Sequence, residues 1–332
     1  MPQAKKYDVL GIGSPLLDLT VKIDDGQLAD LKFNKGSMNL ISKEQSNVIR
    51  AFLKENAHEI SPGGSSANTL SGVNVLGNRA AFLGVIGQDD FGQAYRDHTI
   101  AEGVSSHLIT NDSQATGHSY ILITPDGERT MATHLGAATS FNKNHVNEEL
   151  IADTKILHIE AYQLEQPKSH EALMHAVASA KKHSVLVSLD LSDAGLIRRN
   201  KELFKQVVHD HIDIVFANEA EAMAFTDVAE ADAVVELSRH CQVAVVKLGE
   251  RGSLIRANNH TYEISAHEVE PINTNGAGDM YAAGILHSII NQLGWAEAGK
   301  VASHIAGLVV ASSGARLDKK HHQTISKYKS VK

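Results

Sequence analysis

The sequence predicts an α/β protein, a three-layer α/β/α domain around a mostly parallel central sheet that carries a small β-sheet lid. Two observations lead there. From residue 155 onward, continuous apolar runs at 156–159, 185–189, 212–217 and 243–248 alternate with helical segments such as 170–183. Strands apolar on both faces and joined by helices belong to a parallel sheet covered on both sides. Between residues 106 and 138 the pattern changes to alternation, with 119–123 and 130–133 flanking the turn Pro125-Asp126-Gly127, which reads as a β-hairpin. A hairpin inserted in an α/β chain is a candidate lid, for which residues 19–40 could supply partner strands. The expected division is a main domain of residues 1–18, 41–105 and 139–332, with the lid in the two segments 19–40 and 106–138.

Taken in order, the chain opens with an apolar strand at 7–12 and an extended stretch at 19–23, separated by a bend containing Gly and Pro. A loop-rich section follows. Pro62-Gly63-Gly64-Ser65-Ser66 then leads into 67–76, whose apolar spacing suits a helix, and 80–86 reads as the next buried strand. After the parallel strands, 254–256 and 261–264, parted by Asn258-Asn259, form an antiparallel pair near the sheet edge. Residues 280–290 form an apolar helix, and the basic tail 319–332 reads as a frayed helix or coil. No internal repeat or low-complexity linker interrupts this order.

Composition narrows the function. With 332 residues, 42% hydrophobic and 21% charged, the chain can bury a large core. A net charge of -8 disfavours a nucleic-acid binder, which needs a concentrated Lys/Arg surface. Only the tail, with Lys319, Lys320, Lys327, Lys329 and Lys332, argues the other way. The single cysteine, Cys241, has no intrachain partner and precedes a buried strand, which fits a reducing compartment. The polar start, followed by Gly11, Gly13, Pro15 and Asp18, resembles neither a signal peptide nor a membrane span, so a cytoplasmic protein is expected. The 19 histidines are scattered without a metal-ligand spacing.

The most informative stretch is Asn273-Thr-Asn-Gly-Ala-Gly-Asp279, a small-residue turn opening the 280–290 helix. Backbone N–H groups and the helix dipole at such a turn favour an anion, and Gly276, Ala277 and Gly278 let a phosphate approach closely. Asp279, in the first helical turn, stands where it could take the proton of an attacking hydroxyl. Taken alone, the same residues could be a glycine-rich bend with Asp279 capping a helix. Two other patterns fail. Gly11-x-Gly13 lacks a third glycine, having Leu16 there and Pro15 where a helix should begin. Gly294 and Gly299-Lys300 have P-loop spacing, but Val301 replaces the Mg²⁺-binding Ser/Thr and the stretch reads as helix.

Five motifs, Gly11-x-Gly13 with Asp18, Gly63-Gly64-x-x-x-Asn68, Asn218-x-x-Glu221, Lys247-x-Gly249-x-x-Gly252 and Asn273 to Asp279, occur in the order and spacing of the ribokinase-like (PfkB) kinases. The chain resembles that family over residues 7–317. Its opening Gly11-Ile-Gly-Ser-Pro-Leu-Leu-Asp18 and the segment Glu128-Arg129-Thr130 look most like the adenosine-kinase branch. The resemblance implies a ribokinase-like fold and an ATP-dependent kinase of a nucleoside or sugar hydroxyl, with adenosine converted to AMP as the leading reaction. Inosine, guanosine, ribose and fructose remain open as acceptors, and a catalytically silent nucleoside-binding regulator is the alternative from another class.

By the same resemblance, Asp279 is the catalytic base and Gly276, Ala277 and Gly278 cradle the transferred phosphoryl group, with Arg129 swinging toward it. Asp18, Gly63, Gly64 and Asn68 contact the sugar, a carboxylate and an amide being suited to hydroxyls. Asn218 and Glu221, one helical turn apart, organise Mg²⁺ and its waters, and Lys247, Gly249 and Gly252 border the nucleotide. Each also has an ordinary alternative, as a turn, a helix cap or a surface charge. Asn273 departs from the family, which usually has Asp there. That region in many members helps bind a stimulating monovalent cation, so K⁺ dependence is left open. The resemblance allows a monomer or a homodimer.

Overall fold

The computed structural model describes residues 4–53, 59–317, 321 and 324–328. A nine-stranded sheet forms the centre, in the spatial order 260–264, 253–257, 243–247, 214–218, 186–190, 154–160, 7–12, 80–83, 105–106. The strands from Val243–Lys247 to Ser105–Ser106 are parallel to their neighbours. Ser253–Ala257 and His260–Ile264 complete one edge as the expected antiparallel pair, and both turn residues, Asn258 and Asn259, have the positive φ that a tight hairpin turn uses.

Alternate residues of the central strands go to opposite faces. Val9, Phe82, Ile156, Phe216 and Val245 pack with the helices Ser65–Val75, Ala277–Ile290 and Trp295–Val310. Leu10, Leu157, Leu189, Val215 and Val246 pack under Pro167–Lys182, Lys201–His211 and Glu219–Thr226. Two apolar layers on one sheet make the three-layer sandwich. The stretch with P-loop spacing lies in the helix Trp295–Val310.

A second sheet has five strands, in the order 38–40, 129–134, 117–123, 16–22, 59–63. The hairpin around Pro125-Asp126-Gly127 is its centre, with Arg129 opposite Ile123 and His134 opposite His118. This unit differs from the division expected from the sequence. Residues 16–18 and 41–63, assigned to the main domain, contribute strands Leu16–Lys22 and Glu59–Gly63 and the helix Lys43–Leu53 to it. Ser105–Ser106 joins the large sheet, while Ile109–Asn111 pairs with Val85–Gly87.

The section expected to be loop-rich holds two helices, Asp25–Asp30 and Lys43–Leu53. In the second, Ser46, Ile49 and Leu53 recur at helical spacing and are buried, whereas Val48 is exposed. These helices cover the outer face of the small sheet, packing Leu28, Ile49 and Leu53 on Leu19, Val21, Tyr120, Leu122 and Ala132. The strand expected at 80–86 is split into Ala80–Leu83 and Val85–Gly87.

Among the described residues no helix is long and apolar enough to cross a membrane, and no group of acids, histidines or cysteines forms a ready metal cluster. Of the basic tail, 319–320, 322–323 and 329–332 lie outside the described residues, as do 1–3. Ser326–Tyr328 makes a short 3-10 turn.

Candidate active site

The parallel strands end on one side of the large sheet, and the loops that follow them open into a cleft of about 1090 Å³ beneath the small sheet. This is where open α/β sheets place their ligands. Ser14, Glu160, Asp190, Asn218 and Lys247 line the cleft from those strand ends or just beyond them. Asp18, Gly64, Asn68, Gly249, Gly252, Gly276, Ala277, Gly278 and Asp279 line it too, so nearly all the residues singled out from the sequence meet in one place.

Asp279 sits in the first turn of Ala277–Ile290, directly after the turn whose Gly276 is the N-cap at φ 77°. Gly276 is required there, because a Cβ would collide with the Ala315 carbonyl oxygen and the left-handed φ would strain any other residue. The turn points the helix N-terminus into the cleft, where its first N–H groups have no intrahelical acceptor. Both carboxylate oxygens of Asp279 are held, Oδ1 by Ser65 Oγ at 2.7 Å and Oδ2 by Asn68 Nδ2 at 2.8 Å. Desolvation, with help from Asp190, pushes the Asp279 pKa up to about 6, while Asn68, Ser65 and Lys247 oppose the rise. A carboxyl poised there is ionised at neutral pH and still basic enough to accept a hydroxyl proton.

Ser65 and Asn68 come from the helix Ser65–Val75, whose N-terminus faces the same cleft. Its N-cap, Gly64, has φ 91° and lies so close to the Ser14 carbonyl that only glycine fits. Gly63 lies against Asp18: a Cβ on it would stand 2.6 Å from that carboxylate. Asp18 itself is carried by Leu16–Lys22 of the small sheet. Burial raises its pKa to about 7, an effect that Arg316 opposes and Asp279 reinforces. Hydrogen-bond donors arriving at the carboxylate would favour its ionised form.

Three residues of this region had no motif to announce them. Glu160, 1% exposed, ends its strand and accepts from Ser14 N at 2.8 Å and Ser66 N at 3.0 Å. It thereby ties the first loop to the helix that carries Asn68. Asp190, at the end of the next strand, pairs with Lys247 Nζ at 2.9 Å. Arg316, beyond the helix Trp295–Val310, donates to Asn68 Oδ1 at 2.8 Å and to Glu102 Oε2 at 2.6 Å. An acidic residue closing a buried apolar strand is a usable signal for the first two; Arg316 carries none.

Lys247 lies below the turn at 276–278, its ammonium 3.1 Å from where a Cβ of Gly278 would be. Burial alone would lower its pKa, but Asp190 and Glu221 outweigh that and keep it charged. Asn218 and Glu221 form a reciprocal helix cap: Glu221 Oε2 accepts from Asn218 N at 2.8 Å, and Asn218 Oδ1 accepts from Glu221 N at 2.8 Å. The capping alternative is thus realised, and Glu221 still lines the cleft. Burial, with Asp190 nearby, raises its pKa to about 7.

Arg129 projects from the hairpin and contacts Asn273. Asn273 Oδ1 also accepts from Asn275 N at 2.7 Å, and its Nδ2 donates to the Ser313 carbonyl. The amide brings no charge, and its oxygen already takes two donors.

The roof has a pattern of its own. Strand register places Leu40, Thr133, Ser119 and Asp18 in one row and Met38, Met131 and Ile121 in the next, and all seven face the cleft. In the first row Ser119 Oγ and Thr133 Oγ1 are hydrogen-bonded at 2.8 Å. A mostly polar band beside Asp18 therefore borders an apolar one.

Residues 37–322 match the profile of the family described as pfkB family carbohydrate kinase. Among solved structures, the adenosine kinase from Sinorhizobium meliloti is 31% identical, with 97% of this chain and 99% of that one covered at a TM-score of 0.90. Adenosine kinase 2 of Arabidopsis thaliana is 25% identical, with 96% of this chain and 99% of the relative covered. Fructokinase-1 of Zea mays is 30% identical, with 72% of this chain and 75% of the relative covered.

Proposed function

The chain belongs to the pfkB family of carbohydrate kinases and is a phosphotransferase with an alcohol group as acceptor; from that premise we propose that it transfers the γ-phosphoryl group of ATP to the primary hydroxyl of a nucleoside, adenosine first. The observation that carries the nucleoside is the roof of the cleft. A sugar can hydrogen-bond to Asp18 and the polar row, while a planar base lies against Met38, Met131 and Ile121. A free hexose would leave that apolar row without a matching surface. Similarity to an adenosine kinase along nearly the full length of both chains supports the same reading.

Asp18 accepts hydrogen bonds from the sugar hydroxyls, and the second N–H of the Asn68 amide is available to them. The acceptor hydroxyl then faces Asp279, which takes its proton as the new O–P bond forms and the bond from the γ-phosphorus to the bridging oxygen breaks, releasing ADP. Gly276 to Gly278 and the helix N-terminus stabilise charge on the phosphoryl oxygens, with Lys247 beneath them. Arg129 reaches from the roof to Asn273, three residues before Gly276, and on closure would bring its charge toward the phosphoryl group. Closure of the small sheet would exclude water, the competing acceptor.

Mg²⁺ fits the floor, because Asp190 and Glu221 are nine-tenths or more buried there and Mg²⁺ needs only one or two carboxylates beside phosphate and water. Bound there, it would neutralise phosphate charge, with Asn218 fixing the orientation of Glu221.

The test is an assay with Mg-ATP and, separately, adenosine, inosine, guanosine, ribose and fructose, following ADP and the phosphorylated product. AMP made from adenosine, with turnover reduced roughly 10²- to 10⁴-fold in Asp279→Asn, is the expected result. Preference for fructose would keep the chemistry and replace the acceptor. Full turnover in Asp279→Asn would remove the base assignment.

A further inference from the structure

Arg316 lies outside every motif of the cleft, yet it is bound to the floor at several points. Its side chain is 10% exposed. Nε donates to Asn68 Oδ1 at 2.8 Å, Nη1 to Glu102 Oε2 at 2.6 Å and Nη2 to the Gly63 carbonyl at 3.2 Å. Gly63 O also receives the Tyr95 hydroxyl at 2.9 Å. Glu102, just beyond the helix Asp90–Ala101, holds the guanidinium from the side away from Asn68.

A guanidinium can only donate, so the atom of the Asn68 amide that faces it must be the oxygen. The nitrogen is thereby turned toward Asp279 Oδ2, at 2.8 Å. Were the amide reversed, its oxygen would stand against the carboxylate and its nitrogen against the guanidinium, and both contacts would be repulsive. We propose that Arg316 is a positioning residue for phosphoryl transfer: through the Asn68 amide it fixes which face of Asp279 is hydrogen-bonded and holds that carboxylate ready for the acceptor proton.

This role rests on the reading of Asp279 as the base, but it also makes a claim about Asp279 that needs no substrate. The groups that face Asp279 are Ser65 and Asn68 from one helix, Asp18 from the roof, and Asp190 and Lys247 from the strand ends. An N–H donated to a carboxylate favours its ionised form. Its loss moves the midpoint of Asp279 upward, so less of the base is available at neutral pH.

Two variants separate this from a structural role. Arg316→Met removes the donor that orients the amide. Asn68→Asp keeps an acceptor for Arg316 but replaces the N–H facing Asp279 by a carboxylate. Each is first checked by circular dichroism and thermal melting, and the Asp279 midpoint is read by carbon-13 carboxyl NMR, with the signal assigned by its loss in Asp279→Asn. In both, that midpoint and the acid limb of the kcat/KM profile should rise together. In Arg316→Met, kcat should fall roughly 10²-fold, as for a misplaced catalytic group, and added guanidinium should restore part of it. An unmoved midpoint with unchanged kcat in either folded variant overturns the proposal. If Arg316→Met does not fold, Arg316→Gln, whose amide can accept as well as donate and so no longer forces the Asn68 orientation, is judged by the same midpoint and kcat. If the wild-type protein phosphorylates no acceptor, the proposed function fails, while the NMR midpoint still decides whether Arg316 governs Asp279.

Discussion

The reacting-side groups on the floor of the cleft are joined in a chain of buried polar bonds, whereas the five-stranded sheet above it rests on an apolar layer with isolated polar pairs such as Ser46 with His118 and Ser119 with Thr133. Asp279 is fixed by Ser65 and Asn68, Asn68 by Arg316, and Arg316 by Glu102, a chain that spans three helices and a loop. The roof is bound inwardly by Leu19, Val21, Leu122, Ile49 and Leu53, and Arg129 reaches across the mouth to Asn273. Directional bonds set atoms to within fractions of an ångström; an apolar layer sets a surface and lets it travel as a unit. On the proposed function the reacting groups sit on the floor, and the surface that covers the substrate sits on the roof.

The strongest way to break this contrast is Arg129→Met. If the roof delivers one charge to the phosphoryl group when it closes, kcat should fall roughly 10²- to 10³-fold, the cost of removing one charge-stabilising donor. Melting temperature should not change, because Arg129 is bonded across the cleft and not into a core. Wild-type kcat in this variant would mean that the roof supplies no chemistry and only covers the site.

A smaller effect sharpens the description of the floor. An Asp carboxyl ordinarily titrates at 3.8, and burial raises Asp279 in the folded protein to about 6. The folded state therefore holds its proton more tightly than the unfolded chain, so this group favours folding below pH 4 and costs stability as pH rises through about 6. Asp279→Asn removes that cost. It should stabilise the protein at pH 8 by on the order of 1–3 kcal/mol, with the gain gone below pH 4, as measured by urea unfolding across that range. A gain independent of pH would contradict the assignment.

Much of the floor could be read from the sequence because its parts are local: a small-residue turn opening a helix, an Asn one helical turn before a Glu, two glycines before a helix. The parallel sheet was equally legible from its continuous apolar strands. The roof was legible at the hairpin and in the extended stretch 19–23, most of which lies in the strand Leu16–Lys22 beside it. Lys43–Leu53 escaped notice because three buried positions, Ser46, Ile49 and Leu53, carry its helical face, with one of them polar. Residues 16–18 and the strand Glu59–Gly63 fall outside the expected lid segments, since a strand's partner is chosen by the tertiary structure and not by its own residues. Arg316 was hidden for the same reason: its partners Asn68 and Glu102 are more than 200 positions away.

The smallest effect concerns an exposed polar clamp on the roof's outer edge. Lys35 bonds Asp25 at 2.7 Å and Asp126 at 2.6 Å, tying the hairpin turn to the helix Asp25–Asp30. All three side chains are a third or more exposed, and ion pairs in water lose much of their attraction to screening and to the entropy of long side chains. If apolar packing holds the roof, Lys35→Ala should leave melting temperature, kcat and hydrogen exchange across 117–134 as they are, at low salt and high. Faster exchange confined to that hairpin would show the roof to be pinned by polar bonds at its edge as the floor is at its centre, and the two halves of the cleft would then differ in strength of bonding and not in kind.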